Sequence, residues 1–97
     1  MSKIKFDWDV HKAVQNIKKH KVSFEEASTV FFDENAVEFF DPDHSESEDR
    51  FLMLGLSGRL RIIVVSYCVR SKGLKIRIIS ARTATKKEAK VYIEGRK

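Results

Sequence analysis

Along the first forty residues the apolar positions change their period twice. Residues 3–8 alternate well enough for a short strand. From Asp9 onward Val10, Ala13, Val14 and Ile17 recur at i, i+3, i+4 and i+7, an apolar stripe along one side of a helix, while Lys12, Gln15, Asn16 and Lys19 fall on the other. Asp9 is a suitable N-cap, and the pattern stops near His20. Ser23 followed by Glu26 is the signature of a capping box, with Val22 placed to staple onto Ala27. Phe24, Ala27 and Phe31 give this second helix its buried side.

Beyond residue 35 the period becomes two. Residues 36–40 read as a strand, and DPDHSESEDR (41–50) as the acidic loop that ends it, with Pro42 fixing the turn. Three strands follow. Residues 51–56 are closed by Ser57-Gly58. Residues 60–69 are apolar on both faces over 62–65, as a central strand is. Residues 74–80 come after a turn around Ser71-Lys72-Gly73. Hairpin spacing makes these three an antiparallel meander. A last helix from Lys86 packs through Ala89, Tyr92 and Ile93. The predicted order is β-α-α-β-β-β-β-α with helices segregated from an antiparallel sheet, an α+β fold.

Length and composition narrow this picture. Ninety-seven residues, 42% hydrophobic and 34% charged, suit one globular domain spanning 1–97. No run of about eighteen apolar residues occurs and no apolar leader follows Met1, so a cytoplasmic protein with no membrane partner is expected. Cys68 is the only cysteine, set in the run IIVVSYCV, and reads as a small buried hydrophobe.

Charge adds an asymmetry that the net +5 conceals. Residues 1–50 hold 7 Lys/Arg and 12 Asp/Glu; residues 51–97 hold 12 and 2. A basic half of that density suits a polyanion or an acidic partner. Its focus is IRIISARTATKKE (76–88), where a strand delivers Arg77, Arg82 lies just past the strand end, and Lys86 and Lys87 open a helix. Planar guanidinium forks beside a helix start suit phosphate oxygens. Equally, Arg82 can pair with Glu88 and simply tie strand to helix.

Other candidates for chemistry are few. His11, in the first turn of its helix, reads as a surface residue. His20 ends that helix beside Lys19, where it can serve the helix dipole or exchange a proton near neutral pH. His44 stands among Asp41, Asp43, Glu46 and Glu48, but without a second histidine at ligand spacing this reads as an exposed acidic loop, and no metal is expected. No Gly-rich phosphate loop, G-x-S-x-G or H-E-x-x-H occurs. Of the aromatics, Phe24, Phe31 and Phe51 read as core, and Trp8 and Tyr92 are open to stacking on bases.

One resemblance unites these pieces. Phe6-Asp-Trp8-Asp9, Lys12, Asn16, Lys19-His20, Val22-Ser-Phe24, Glu26-Ala27, HSESEDR (44–50), Gly55, and IRIISARTAT with Glu88 and Tyr92 together resemble the BrnT family, in order and over nearly the whole chain. The resemblance implies a RelE-like ribonuclease fold, cleavage of RNA and arrest of translation. It also implies neutralisation by BrnA, a ribbon-helix-helix antitoxin that dimerises and represses the shared operon, so that operator DNA is met only through the antitoxin. Two positions depart from the family's usual pattern. Lys21 stands where glycine usually follows the Lys-His pair, so the first helix is expected to end differently, and Ala89 replaces an arginine after Glu88.

RNA brings its own nucleophile, the 2′-OH, so a protein needs only to align the attack, neutralise the phosphorane and assist proton transfer, with no cofactor. Arg77 and Arg82 are the candidates for phosphate neutralisation, with Lys19 and Arg50 as neighbours if the fold gathers them. His20 is the candidate general base, with Tyr92 or Glu88 behind it. The competing expectation is a binding module whose basic face docks an acidic protein or nucleic acid without chemistry.

Overall fold

In the computed structural model, which describes residues 4–45 and 48–95, the chain runs β1 (Lys5–Asp7), α1 (Val10–His20), α2 (Phe24–Thr29), β2 (Val37–Asp41), β3 (Arg50–Leu56), β4 (Ile62–Arg70), β5 (Lys75–Thr83) and α3 (Lys86–Gly95). Single 3-10 turns occupy Val30–Phe32, Pro42–His44 and Ser71–Gly73. The order is the one predicted, and the α+β class holds. Lys3 lies outside the described residues. Strand β5 runs on to Thr83, so Arg82 sits inside the strand, not past its end.

All five strands form one sheet in the order β1-β5-β4-β3-β2. β3, β4 and β5 make the expected meander and β2 joins it antiparallel, but β1 pairs parallel to β5 through only Lys5–Lys75, Phe6–Ile76 and Asp7–Arg77. β5, reached only after the helices and the other three strands, comes back beside the opening strand and runs the same way as it. On that face Val22, Phe24, Ala27 and Val30 close over Ile63, Val65, Tyr67, Ile76, Ile78 and Ala81. A Cβ at Gly55 would stand 2.7 Å from Val30 Cγ1, so β3 passes under the Val30–Phe32 turn as glycine. Among the described residues the opposite face is covered only at one end, where α3 sets Tyr92 on Leu54 and Val64. The hydroxyl of Tyr92 donates to Asp33 Oδ2 (2.6 Å), which also accepts from the Leu56 N–H (2.8 Å). Of the residues expected to pack α3, Ile93 is half exposed.

Helix α1 corrects the apolar stripe. Asp9 caps it through the Lys12 N–H, as expected, yet Val10, Val14 and Ile17 are 70%, 49% and 46% exposed, and the buried residue is Asn16. The reason is the edge of β5. β1 pairs only as far as Arg77, so the β5 backbone beyond it lacks a neighbouring strand. Asn16 supplies one: its Nδ2 donates to the Ala81 carbonyl (2.8 Å) and to the Val22 carbonyl (2.8 Å), while its Oδ1 accepts from the Ala81 N–H (3.1 Å). A buried edge must be satisfied in this way. The end of α1 comes where glycine would have put it, with Lys21 itself left-handed at φ 60° and its N–H on the Ile17 carbonyl.

The capping box of α2 is only half made. Ser23 accepts from the Glu26 N–H (3.0 Å), but the Glu26 carboxylate turns into the protein, where it accepts from Ser57 (2.7 Å) and from the Arg61 fork, Nε at 2.9 Å. The Arg61 hydrogen bonds hold Glu26 below the usual carboxylate range against the cost of its burial. No described helix is long and apolar enough to cross a membrane.

Candidate nucleic-acid interface

The uncovered half of the sheet is where the arginines gather, and the register shows how. Residues paired across strands share a face, and Arg50, Cys68 and Arg77 form one such row over β3, β4 and β5. Arg82 pairs with Val64, four residues before Cys68, and therefore stands on the same face. Strict alternation would have put Arg77 and Arg82 on opposite faces, since they are five residues apart. A bulge removes the conflict: Ser66 pairs with Ser80 and Tyr67 with Ile78, so Ile79 is the extra residue on β5. Ser80 and Ser66 then form the row between the two arginines.

Both arginines are held by carboxylates. Arg77 donates to Asp7 Oδ2 (2.6 Å), across the parallel β1–β5 pair, and this hydrogen bond holds Asp7 below its ordinary range. Arg82 makes a two-pronged pair with Glu88, Nη1 to Oε1 at 2.7 Å and Nη2 to Oε2 at 2.9 Å. Glu88 also accepts from the Thr85 N–H (2.8 Å) while its own N–H donates to Thr85 Oγ1 (3.2 Å), a complete capping box at the start of α3. These bonds, Arg82 foremost, pull the Glu88 carboxyl down to about 2. The tie between strand and helix is thus real, and it leaves the Arg82 side chain 40% exposed on the open face. Arg50 makes no side-chain hydrogen bond or ion pair among the described residues. Arg70, further along the same face, is taken by Glu48 at 2.8 Å.

Lys19 and His20 approach from the side. With Lys12, Gln15 and Asn16 they line a shallow groove whose other wall is Ile79 and Ser80, the two residues midway between Arg77 and Arg82. The bulge therefore serves both elements: it aligns the arginines and turns β5 toward α1. Lys19 and His20 thus border Ser80 from the side, while Arg50, Arg77 and Arg82 share the sheet face; Lys86 and Lys87 are exposed at the start of α3.

Two candidates are placed badly for the roles considered. Tyr92 is 2% exposed with its hydroxyl on Asp33, so it neither stacks on a base nor reaches a substrate. Glu88, engaged on both oxygens and held near 2, is a poor general base. Trp8 packs edge-on against Phe24 with ring centroids 5.9 Å apart. Cys68 is buried, as expected, and burial pushes its thiol upward. His44 pairs with Asp41 at 2.9 Å, and no group of three metal-ligating side chains occurs among the described residues; Glu46 lies outside them. Sequence reasoning passed over Asp7, which pairs with Arg77, and Ser66 and Ser80, which form the row between the two arginines. The signal for the bulge was present in the adjacent Ile78-Ile79, which breaks the alternation of β5.

The family described as "Ribonuclease toxin, BrnT, of type II toxin-antitoxin system" matches residues 8–88. Among solved structures, the chain is similar to the 1.1 Å crystal structure of the Brucella abortus ribonuclease toxin BrnT, with a TM-score of 0.65 and 26% identity over 86% of this chain and 99% of that one. The chain matches no curated protein. The match from Trp8 to Glu88 takes in α1, the bulged strand and the capping box of α3, and by it the chain belongs to the BrnT family of ribonuclease toxins of type II toxin–antitoxin systems.

Proposed function

We propose that the open sheet face binds single-stranded RNA and cleaves it without a metal ion, that this cleavage arrests translation, and that an antitoxin of the BrnA ribbon-helix-helix type neutralises it. The observation that carries the reading is the bulge at Ile79, which sets Arg77 and Arg82 on one face with the Lys19–His20 groove opening between them. A phosphodiester laid over Ser80 meets guanidinium forks on both sides and a histidine at the edge.

In that position the 2′-OH attacks the neighbouring phosphorus, its proton passes to His20, the P–O5′ bond breaks, and the departing O5′ takes a proton from water. The products are a 2′,3′-cyclic phosphate and a 5′-OH end. Arg77, Arg82 and Arg50 neutralise the charge that builds on the phosphorane oxygens, and Lys19 adds a point charge beside His20. Asp7 and Glu88 are positioning residues: they fix the forks and leave the remaining N–H groups to the phosphate.

Induced expression in a bacterium tests this, with cleavage of a short RNA by the purified protein in EDTA as the companion assay. Arg82→Ala abolishes toxicity and cleavage while antitoxin binding persists, and Arg82→Lys rescues poorly because a point charge cannot replace a planar fork. A folded and fully toxic Arg82→Ala protein overturns the site assignment. Cleavage that stops in EDTA overturns the metal-free chemistry.

A further inference from the structure

The arginines account for the phosphates of a bound strand and leave its bases without a place. The same sheet face carries one. Beyond Arg82, between α3 and the edge strand β2, lies an apolar groove of about 320 Å³ lined by Phe39, Leu52, Leu54, Val64, Glu88 and Val91, within the size range of ligand pockets. Its two outer walls are solvent-facing side chains: the Phe39 ring, 42% exposed on β2, and Val91, 50% exposed on α3. Its floor is tied to the arginines by register. Val64 pairs with Arg82, and Leu52 pairs with Ser66, which pairs with Ser80. Successive rows on one face are two residues, about 7 Å, apart, so Leu54 and Val64 lie in the row of Arg82 and Leu52 one row from it.

We propose that this groove is a nucleobase subsite that takes one unstacked base of the RNA whose adjacent phosphate lies on Arg77, Ser80 and Arg82. The inference rests on the ribonuclease reading above. A nucleotide is a flat, largely apolar body joined to an anion. This face offers the matching pair of surfaces, an apolar groove with an aromatic wall and, beside it on the same face, arginines for the charge. Stacking on an aromatic ring works for every base because each has a π-face. The single carboxylate in the groove does not repel the strand, because Glu88 is neutralised by the two-pronged pair with Arg82. A docked apolar side chain of a protein partner would leave the arginine rows beside it unexplained, and it is an outcome of the test.

The test uses the full-length chain and a short single-stranded RNA, 2′-O-methylated throughout so that it cannot be cleaved, with one 5-iodouridine moved position by position. Irradiation is expected to cross-link one position to the β2 peptide at Phe39. Val91→Trp, which fills the groove from an exposed site, and Phe39→Ala are expected each to remove that cross-link and weaken binding roughly tenfold. The salt dependence stays unchanged, because a base contact releases no counterion. A melting curve confirms that each variant is folded. RNA that binds with ordinary salt dependence but cross-links only elsewhere, unaffected by Val91→Trp, overturns the subsite and leaves the ribonuclease reading standing. A Val91→Trp protein that binds RNA normally and loses its antitoxin assigns the groove to the protein partner instead. Failure of the wild-type chain to bind the RNA at all overturns both.

Discussion

Glu88 carries two jobs in one carboxylate, bracing Arg82 and capping α3, and its titration exposes both. Its folded value of about 2 lies below the ordinary 4.5, so its stabilisation is complete above pH 4.5 and is lost as the pH falls toward 2. Discounted for the solvent that reaches the pair, Glu88→Gln is expected to cost about 1–2 kcal/mol at neutral pH. Melting curves of both proteins should converge between pH 4.5 and 2; a gap that persists at pH 2 would mean that packing, not charge, is lost. Toxicity then separates brace from site. Glu88→Gln breaks the same brace as Arg82→Ala but keeps the guanidinium, so it should lower the melting temperature to a similar extent while only weakening toxicity, which Arg82→Ala abolishes. If both variants lose toxicity equally, Arg82 acts through the fold. At this scale the caps were legible in the sequence, because Asp9, Ser23 and Thr85 act over three or four residues. Glu26 was half legible: its backbone obeys the cap, but its side chain answers to Arg61, thirty-five residues away.

Elements meet at α1, where local pattern and tertiary need diverge. Val10, Ala13, Val14 and Ile17 look like a core stripe because nothing in the helix says that its neighbour is a strand edge with backbone groups to satisfy. Once β5 needs a partner beyond Arg77, Asn16 outranks the aliphatics. Asn16→Ala should therefore cost about 2–4 kcal/mol in urea unfolding, more than a solvated asparagine would, since it orphans the buried N–H and carbonyl of Ala81 and the carbonyl of Val22. The same substitution should expose the Ala81 amide to hydrogen exchange before the rest of β5 opens. A loss under about 0.5 kcal/mol would make the tie incidental. At the other end of α1, Lys21 holds a left-handed backbone that glycine adopts freely, which costs about 1 kcal/mol. Lys21→Gly should raise the melting temperature by about 4–8 °C; an unchanged or lower value would mean that its side-chain bond to the Lys18 carbonyl compensates. The strand order needed the same long-range information. Hairpin spacing gave β3, β4 and β5, while the parallel seat of β1 depends on residues seventy positions apart.

Over the whole molecule the charge asymmetry is partly spent on folding. Acids of the first half neutralise arginines of the second, Asp7 with Arg77, Glu26 with Arg61 and Glu48 with Arg70, so the basic half presents less free charge than its count suggests. What remains on the open face is organised: Arg50 without an ion pair among the described residues, Arg77 and Arg82 held in place by their carboxylates, Lys19 at the rim. This arrangement predicts a number. If those three arginines each meet one phosphate of a single strand, the logarithm of RNA affinity should fall with the logarithm of salt concentration at a slope of about −2, from roughly 0.7 per contact. Removing any one arginine should flatten the slope by about 0.7 as it weakens binding. Substituting Arg61, which lies away from this face and answers to Glu26, should reduce stability without touching the slope. Titration of a non-cleavable RNA at four or five salt concentrations reads all of these at once. A slope near zero, with binding intact, would mean that the contact is apolar and that the face is a protein-docking surface. A slope that Arg50→Ala, Arg77→Ala and Arg82→Ala all leave unchanged would move the RNA to another face, toward the lysines of α1 and α3, and with it the site of cleavage.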